Sequence, residues 1–115
     1  MALSEWQTAE IKTTAEPFLE QWRSRRLSEY IKSVDIQIED QSVILYEIHK
    51  PFDGKGEDIF FPIAKATFQK SAEKWKLFWQ MRDLKWHGYE PSLFHSDIES
   101  VFCSIDKDVL YAFWG

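Results

Sequence analysis

The sequence predicts an α+β fold: an antiparallel meander of about five strands, with an N-terminal helical segment and a short C-terminal helix. Apolar residues recur at helical spacing near the start of the chain, and from about Val34 the pattern changes to period two. Runs of turn-forming residues then separate short apolar stretches, the pattern of an antiparallel sheet with helices beside it.

The first element begins at about Glu5. Ser4, followed three residues later by Gln7, has the spacing of a capping box, and Trp6, Ala9, Phe18, Leu19 and Trp22 follow at roughly helical intervals. Pro17 would remove a hydrogen bond in mid-helix, so the sequence leaves two options: a kink, or a second helix starting there after a break near residues 13–16. Val34, Ile36 and Ile38, then Val43 and Leu45, alternate on either side of Asp40-Gln41 and predict a hairpin. The stretch KPFDGKGED, residues 50–58, is loop chemistry.

The next strands can be aligned because residues opposite one another in an antiparallel pair share a face. A turn at Ser71-Ala72 pairs Phe68 with Trp75, Ala66 with Leu77 and Ala64 with Trp79, so small residues meet large ones. A turn at Asp83-Leu84 pairs Met81 with Trp86 and Trp79 with Gly88. The expected core face is Ala64, Ala66, Phe68, Trp75, Leu77, Trp79, Met81 and Trp86. The expected opposite face carries Lys65, Lys76, Phe78, His87 and Tyr89, flanked by Thr67, Gln80, Arg82 and Lys85. A final helix is expected from about Ser96 to Asp106.

Composition bounds the function. At 115 residues and 44% hydrophobic, with four glycines and four prolines, the chain suits one domain, 1–115, that closes its own core. The single cysteine, Cys103, cannot make an internal disulfide, and MALSEWQTAE lacks the basic start and apolar run of a secretion signal, so a cytoplasmic location is expected. No apolar run approaches the roughly 20 residues that span a bilayer, and no membrane association is expected. The net charge of −5 is unevenly spread: Ile63–Tyr89 holds six basic and two acidic residues, while both flanks are acidic. Basic residues interleaved with aromatics are the chemistry of surfaces that stack single-stranded nucleic acid or hold another anion. The same face better suits the solvated side of an antiparallel sheet, with its aromatics packed under a terminal helix or against a protein partner or second copy, the reading favoured here.

Catalytic signatures are weak. Asp83-Leu84-Lys85 has the acid-x-base spacing of some metal-dependent nucleases, but falls in a turn. His49, His87 and His95 with Glu47 lack the i, i+4 spacing of a zinc helix, and Cys103 has no cysteine partner. No nucleophile elbow, P-loop or dinucleotide turn is present. No catalytic residue, metal or cofactor is assigned, and a metal-dependent hydrolase or nuclease is the remotest alternative.

The run from Ala64 to Pro91, with KWKLFW and RDLKWHGYEP, together with the terminal AFWG, resembles a bacterial family of domains of unknown function, number 3024. The resemblance covers most of the chain and includes the Lys50-Pro51 step. It implies a small bacterial protein without an assigned activity, and it carries over no functional residues.

Overall fold

The computed structural model describes residues 2–114. Its elements follow the expected order: a helix, a six-stranded antiparallel sheet and a second helix. Helix α1 (Glu5–Arg26) starts at Ser4, whose hydroxyl accepts from the Gln7 N–H at 3.1 Å while Gln7 Oε1 accepts from the Ser4 N–H at 3.0 Å. The helix continues through Pro17 as one element, which settles the choice left open by the sequence. Ile11, Ala15, Leu19 and Trp22, spaced four, four and three residues apart, form the buried stripe. Trp6 and Ala9, read as part of that stripe, are exposed instead.

Strands β1 (Ile31–Glu39) and β2 (Ser42–His49) form the expected hairpin, closed at Asp40-Gln41, with Asp40 in the left-handed region at φ 50°. Residues 50–58 form no helix or strand. β3 (Ile59–Gln69) pairs with β2 through a bulge that leaves Ile63 as the extra residue between Pro62 and Ala64. β4 (Lys74–Gln80) pairs with β3 in the expected register, Ala64 opposite Trp79, Ala66 opposite Leu77 and Phe68 opposite Trp75. The connection is four residues, Lys70–Glu73, rather than two.

The next hairpin differs from expectation by one residue. In β5 (Trp86–Gly88), Trp86 stands opposite Gln80, His87 opposite Trp79 and Gly88 opposite Phe78. The cause is the loop. Met81 O accepts from the Leu84 N–H, Met81 N–H donates to Lys85 O, and Leu84 takes φ 63°, so three residues rather than two make the turn. Because side chains alternate, the slip exchanges the faces of every β5 residue. Trp86 therefore leaves the expected core face, and Met81 lies in the loop at 41% exposure.

After β5 a 3-10 turn, Glu90–Ser92, interrupts pairing, and β6 (Phe94–His95) returns to β4. Leu77 bridges the interruption: its carbonyl accepts from the Tyr89 N–H and its N–H donates to Leu93 O. Helix α2 (Ile98–Lys107) is capped by Asp97, and its Ile98, Val101, Phe102 and Ile105 are buried. Asp108 then accepts from the Phe113 and Trp114 N–H groups at 3.0 and 2.9 Å, folding the chain end back toward α1. Both helices pack on one side of the sheet, and one cluster joins their buried residues to Val34, Val43, Leu45, Ala64, Ala66, Trp75 and Leu77. No helix among the described residues is long and apolar enough to cross a membrane.

Candidate interaction surface

The helices leave the other side of the sheet uncovered, because α1 and α2 contribute their buried residues to the same cluster as the inward-facing strand positions. Alternation puts Asp35, Gln37 and Glu39 of β1, Ile44, Tyr46 and Ile48 of β2, and Lys65 and Thr67 of β3 on this open side. Lys76, Phe78 and Gln80 of β4, Trp86 and Gly88 of β5, and Phe94 of β6 continue it.

Two transverse rows define the geometry. One runs Glu39, Ser42, Thr67, Lys76, Phe94, and the next runs Gln37, Ile44, Lys65, Phe78, Gly88. The Ser42 and Thr67 hydroxyls meet at 2.8 Å within the first row. Lys65 Nζ lies 6.0 Å from the centroid of the Trp86 ring, and Lys76 Nζ lies 5.3 Å from that of Phe78 and 6.0 Å from that of Phe94. These are cation–π separations, which place each lysine head within reach of an aromatic ring. Neither lysine joins an ion pair among the described residues. At the β1 edge, the Glu39 carboxylate accepts from Gln37 Nε2 at 3.3 Å. The Tyr46 hydroxyl has its pKa raised by burial and by the neighbouring Asp35 charge, so it stays a neutral phenol on this face at physiological pH.

Of the residues singled out from the sequence, Lys65, Lys76 and Phe78 lie together on the open face. Arg82 and Lys85 are exposed in the β4–β5 loop. His87 faces the helix side opposite Trp79 and pairs with Asp83 at 2.9 Å. Asp83 is held below the usual carboxylate range, first by the Lys85 N–H and then by His87. Tyr89 is a correction to the expected surface: it is 1% exposed, its ring lies 4.8 Å from that of Phe113, and its hydroxyl has no hydrogen-bond partner among the described residues. In its place Trp86 and Phe94 supply the aromatic part of the face.

Gly88 has a different role from the one expected. A side chain there would bring its Cβ within 2.9 Å of Leu93 Cδ1, so the glycine makes room for Leu93 and not, as expected, for the Trp79 indole. Leu93 is the residue that returns the chain to β4 and so puts Phe94 opposite Lys76.

The other polar clusters are separate. Glu47, buried, joins Arg26 Nε at 2.9 Å and His49 Nε2 at 3.0 Å. His95 joins Ser100 Oγ at 2.7 Å and the Ser92 carbonyl at 2.8 Å. No group of three or more metal-ligating side chains converges among the described residues. The Asp83-Leu84-Lys85 triplet spends its carboxylate on turn and histidine contacts.

Residues 3–115 match the family described as a domain of unknown function (DUF3024). No curated protein and no solved structure matches the chain.

Proposed function

The chain belongs to this family of domains of unknown function, and from that premise we propose that it is a non-enzymatic interaction module that docks a partner protein on the open face of its sheet. The observation that supports this reading is the one-sided cover of the sheet. The helices bury one face, while the other presents Ile44, Tyr46, Phe78 and Trp86 as partly exposed apolar groups around two lysines. Phe60 and Phe94 beside them are 59% and 51% exposed. Exposed apolar surface edged by polar groups is the chemistry of protein contact, where burial of aromatic rings supplies most of the affinity. The single unpaired cysteine fits a module of the reducing cytoplasm.

The lysine–aromatic contacts also favour a second reading, a stacking surface for single-stranded nucleic acid at the β4–β6 end. The acidic β1 edge and the net charge of −5 oppose it.

Photo-cross-linking tests the first reading. p-Benzoylphenylalanine in place of Phe78 is expected to trap protein in the cells that express it, while the same group in place of exposed Glu20, on α1, traps none. Adducts that disappear on nuclease treatment, or no adducts from either position, overturn it.

A further inference from the structure

The open face is charged in a way that fits a second copy of itself. β1 contributes Glu39 and also Asp35, which lies 3.7 Å from Arg23 of α1; β2 contributes no charge, and β3 and β4 contribute Lys65, Lys74 and Lys76, so charge changes from acidic to basic across the strands. Glu39 and Lys76 occupy the same row, separated by Ser42 and Thr67, and neither joins an ion pair among the described residues.

We infer that the partner docked on this face is a second copy of the chain, stacked sheet on sheet about a two-fold axis that runs parallel to the strands between β2 and β3. This rests on the docking reading above and names its occupant.

The orientation follows from symmetry. A two-fold axis parallel to the strands reverses the strand order of the facing sheet while keeping each row at its height. β1 then faces the partner's β4, and β2 faces the partner's β3. Glu39 comes over the partner's Lys76 and Lys76 over the partner's Glu39, and the Ser42 and Thr67 hydroxyls face one another. Ile44 comes over the aliphatic stem of the partner's Lys65, whose ammonium can extend past it to water. An axis perpendicular to the strands would instead place β1 on β1 and β4 on β4, acid against acid and lysine against lysine. Like-charge contacts across an interface are strongly unfavourable, so charge selects the first arrangement. Sheets stacked about 10 Å apart at roughly 30° keep such rows within side-chain reach. A two-fold contact uses the same patch twice, so each charge pair occurs twice and a single substitution is counted twice.

The test is sedimentation velocity on the full chain and on two exposed-charge variants, Glu39→Lys and Lys76→Glu, with circular dichroism to verify that each is folded. Wild type is expected to dimerise in a concentration-dependent way. Each variant alone is expected to dissociate roughly tenfold or more readily, a factor that a single like-charge contact can supply. An equimolar mixture of the two variants restores both pairs, because the row that is basic at both ends in one meets the row that is acidic at both ends in the other, and it should dimerise like wild type. Dimerisation unaffected by either variant overturns the proposed orientation. A wild-type chain that is monomeric up to about 1 mM overturns self-association. In that case adducts between Phe78 and a different protein leave the docking surface standing, and no protein adducts remove both.

Discussion

Arg26 and Glu47 meet at 2.9 Å where the end of α1 crosses the sheet, the carboxylate buried and the guanidinium about one-third exposed. Arg26 also donates to the Trp114 carbonyl at 3.1 Å and lies 5.5 Å from the Trp114 ring centroid. The helix, the sheet and the chain end are therefore joined through one side chain. Removing it strands a buried carboxylate. Arg26→Met should cost about 2 to 4 kcal/mol, below the full range for a buried pair because His49 still reaches Glu47. Urea unfolding checks this, and the double variant Arg26→Met, Glu47→Leu should regain part of the loss. If the double variant is no more stable than the single one, the stranded charge is not the cause.

Asp106 gives the fold a sign in pH. Burial pushes its carboxyl up, but hydrogen bonds from Arg25 and Trp22, with the Arg25 charge, outweigh burial and hold it below the ordinary range. A depressed folded-state pKa gives stability that is fully present above the unfolded value, about 3.9, and is lost as pH falls through the folded one. Asp106→Asn should therefore be less stable than wild type at pH 7, and the gap should narrow below about pH 4. Urea midpoints at pH 7 and pH 3 decide it, since an unchanged gap would mean the contribution comes from shape alone.

The β4–β5 loop holds Leu84 at φ 63° with its side chain 76% exposed. A left-handed L-residue costs roughly 1–2 kcal/mol, partly offset in glycine by its greater freedom in the unfolded chain. Leu84→Gly should stabilise by about 0.5 to 1 kcal/mol and Leu84→Val should destabilise. The opposite order in thermal melts would show that this loop is not strained.

That loop also marks where the sequence stopped being legible. The β3–β4 register could be read because Ala64 and Ala66 leave space that Trp79 and Leu77 fill, and a one-residue slip would break every pair. The β4–β5 register could not, because the usual cue for a left-handed turn position is glycine or asparagine and here it is leucine. One missed residue moved His87 and Tyr89 off the open face and Trp86 onto it. Phe94 was invisible for a different reason. A two-residue strand that follows a proline-containing 3-10 turn has no periodicity to detect. The capping box at Ser4 and the amphipathic α2 were legible because each is a local pattern that tertiary packing did not overrule.

The corrected faces reorder the core. Leu77 is fully buried and bonded on both sides of its strand, whereas Trp79 is only partly buried. Leu77→Ala should cost about 2 to 5 kcal/mol, and Trp79→Ala should cost less than its ring size suggests because solvent already reaches it. Chemical denaturation of the pair gives the ranking, and a larger loss at Trp79 would place the centre of packing at the β4–β5 end.

Nucleic-acid binding is the remaining reading of Lys65, Lys76, Phe78, Trp86 and Phe94, and salt dependence separates it from protein docking. A strand held by a few lysines would lose affinity steeply with salt as counterions are released, and each stacked base would lose about 1 to 3 kcal/mol on removal of its ring. The acidic β1 edge lies on the same face and the whole chain carries −5, so long-range attraction to phosphate is weak. We expect a labelled single-stranded oligonucleotide to show micromolar binding or none by fluorescence anisotropy at low salt. Tight binding that is lost at high salt and on Phe78→Ala or Trp86→Ala, but kept on Glu39→Lys, would make the face a nucleic-acid surface. Dimerisation lost on Phe78→Ala, with the oligonucleotide inert, would keep it for protein.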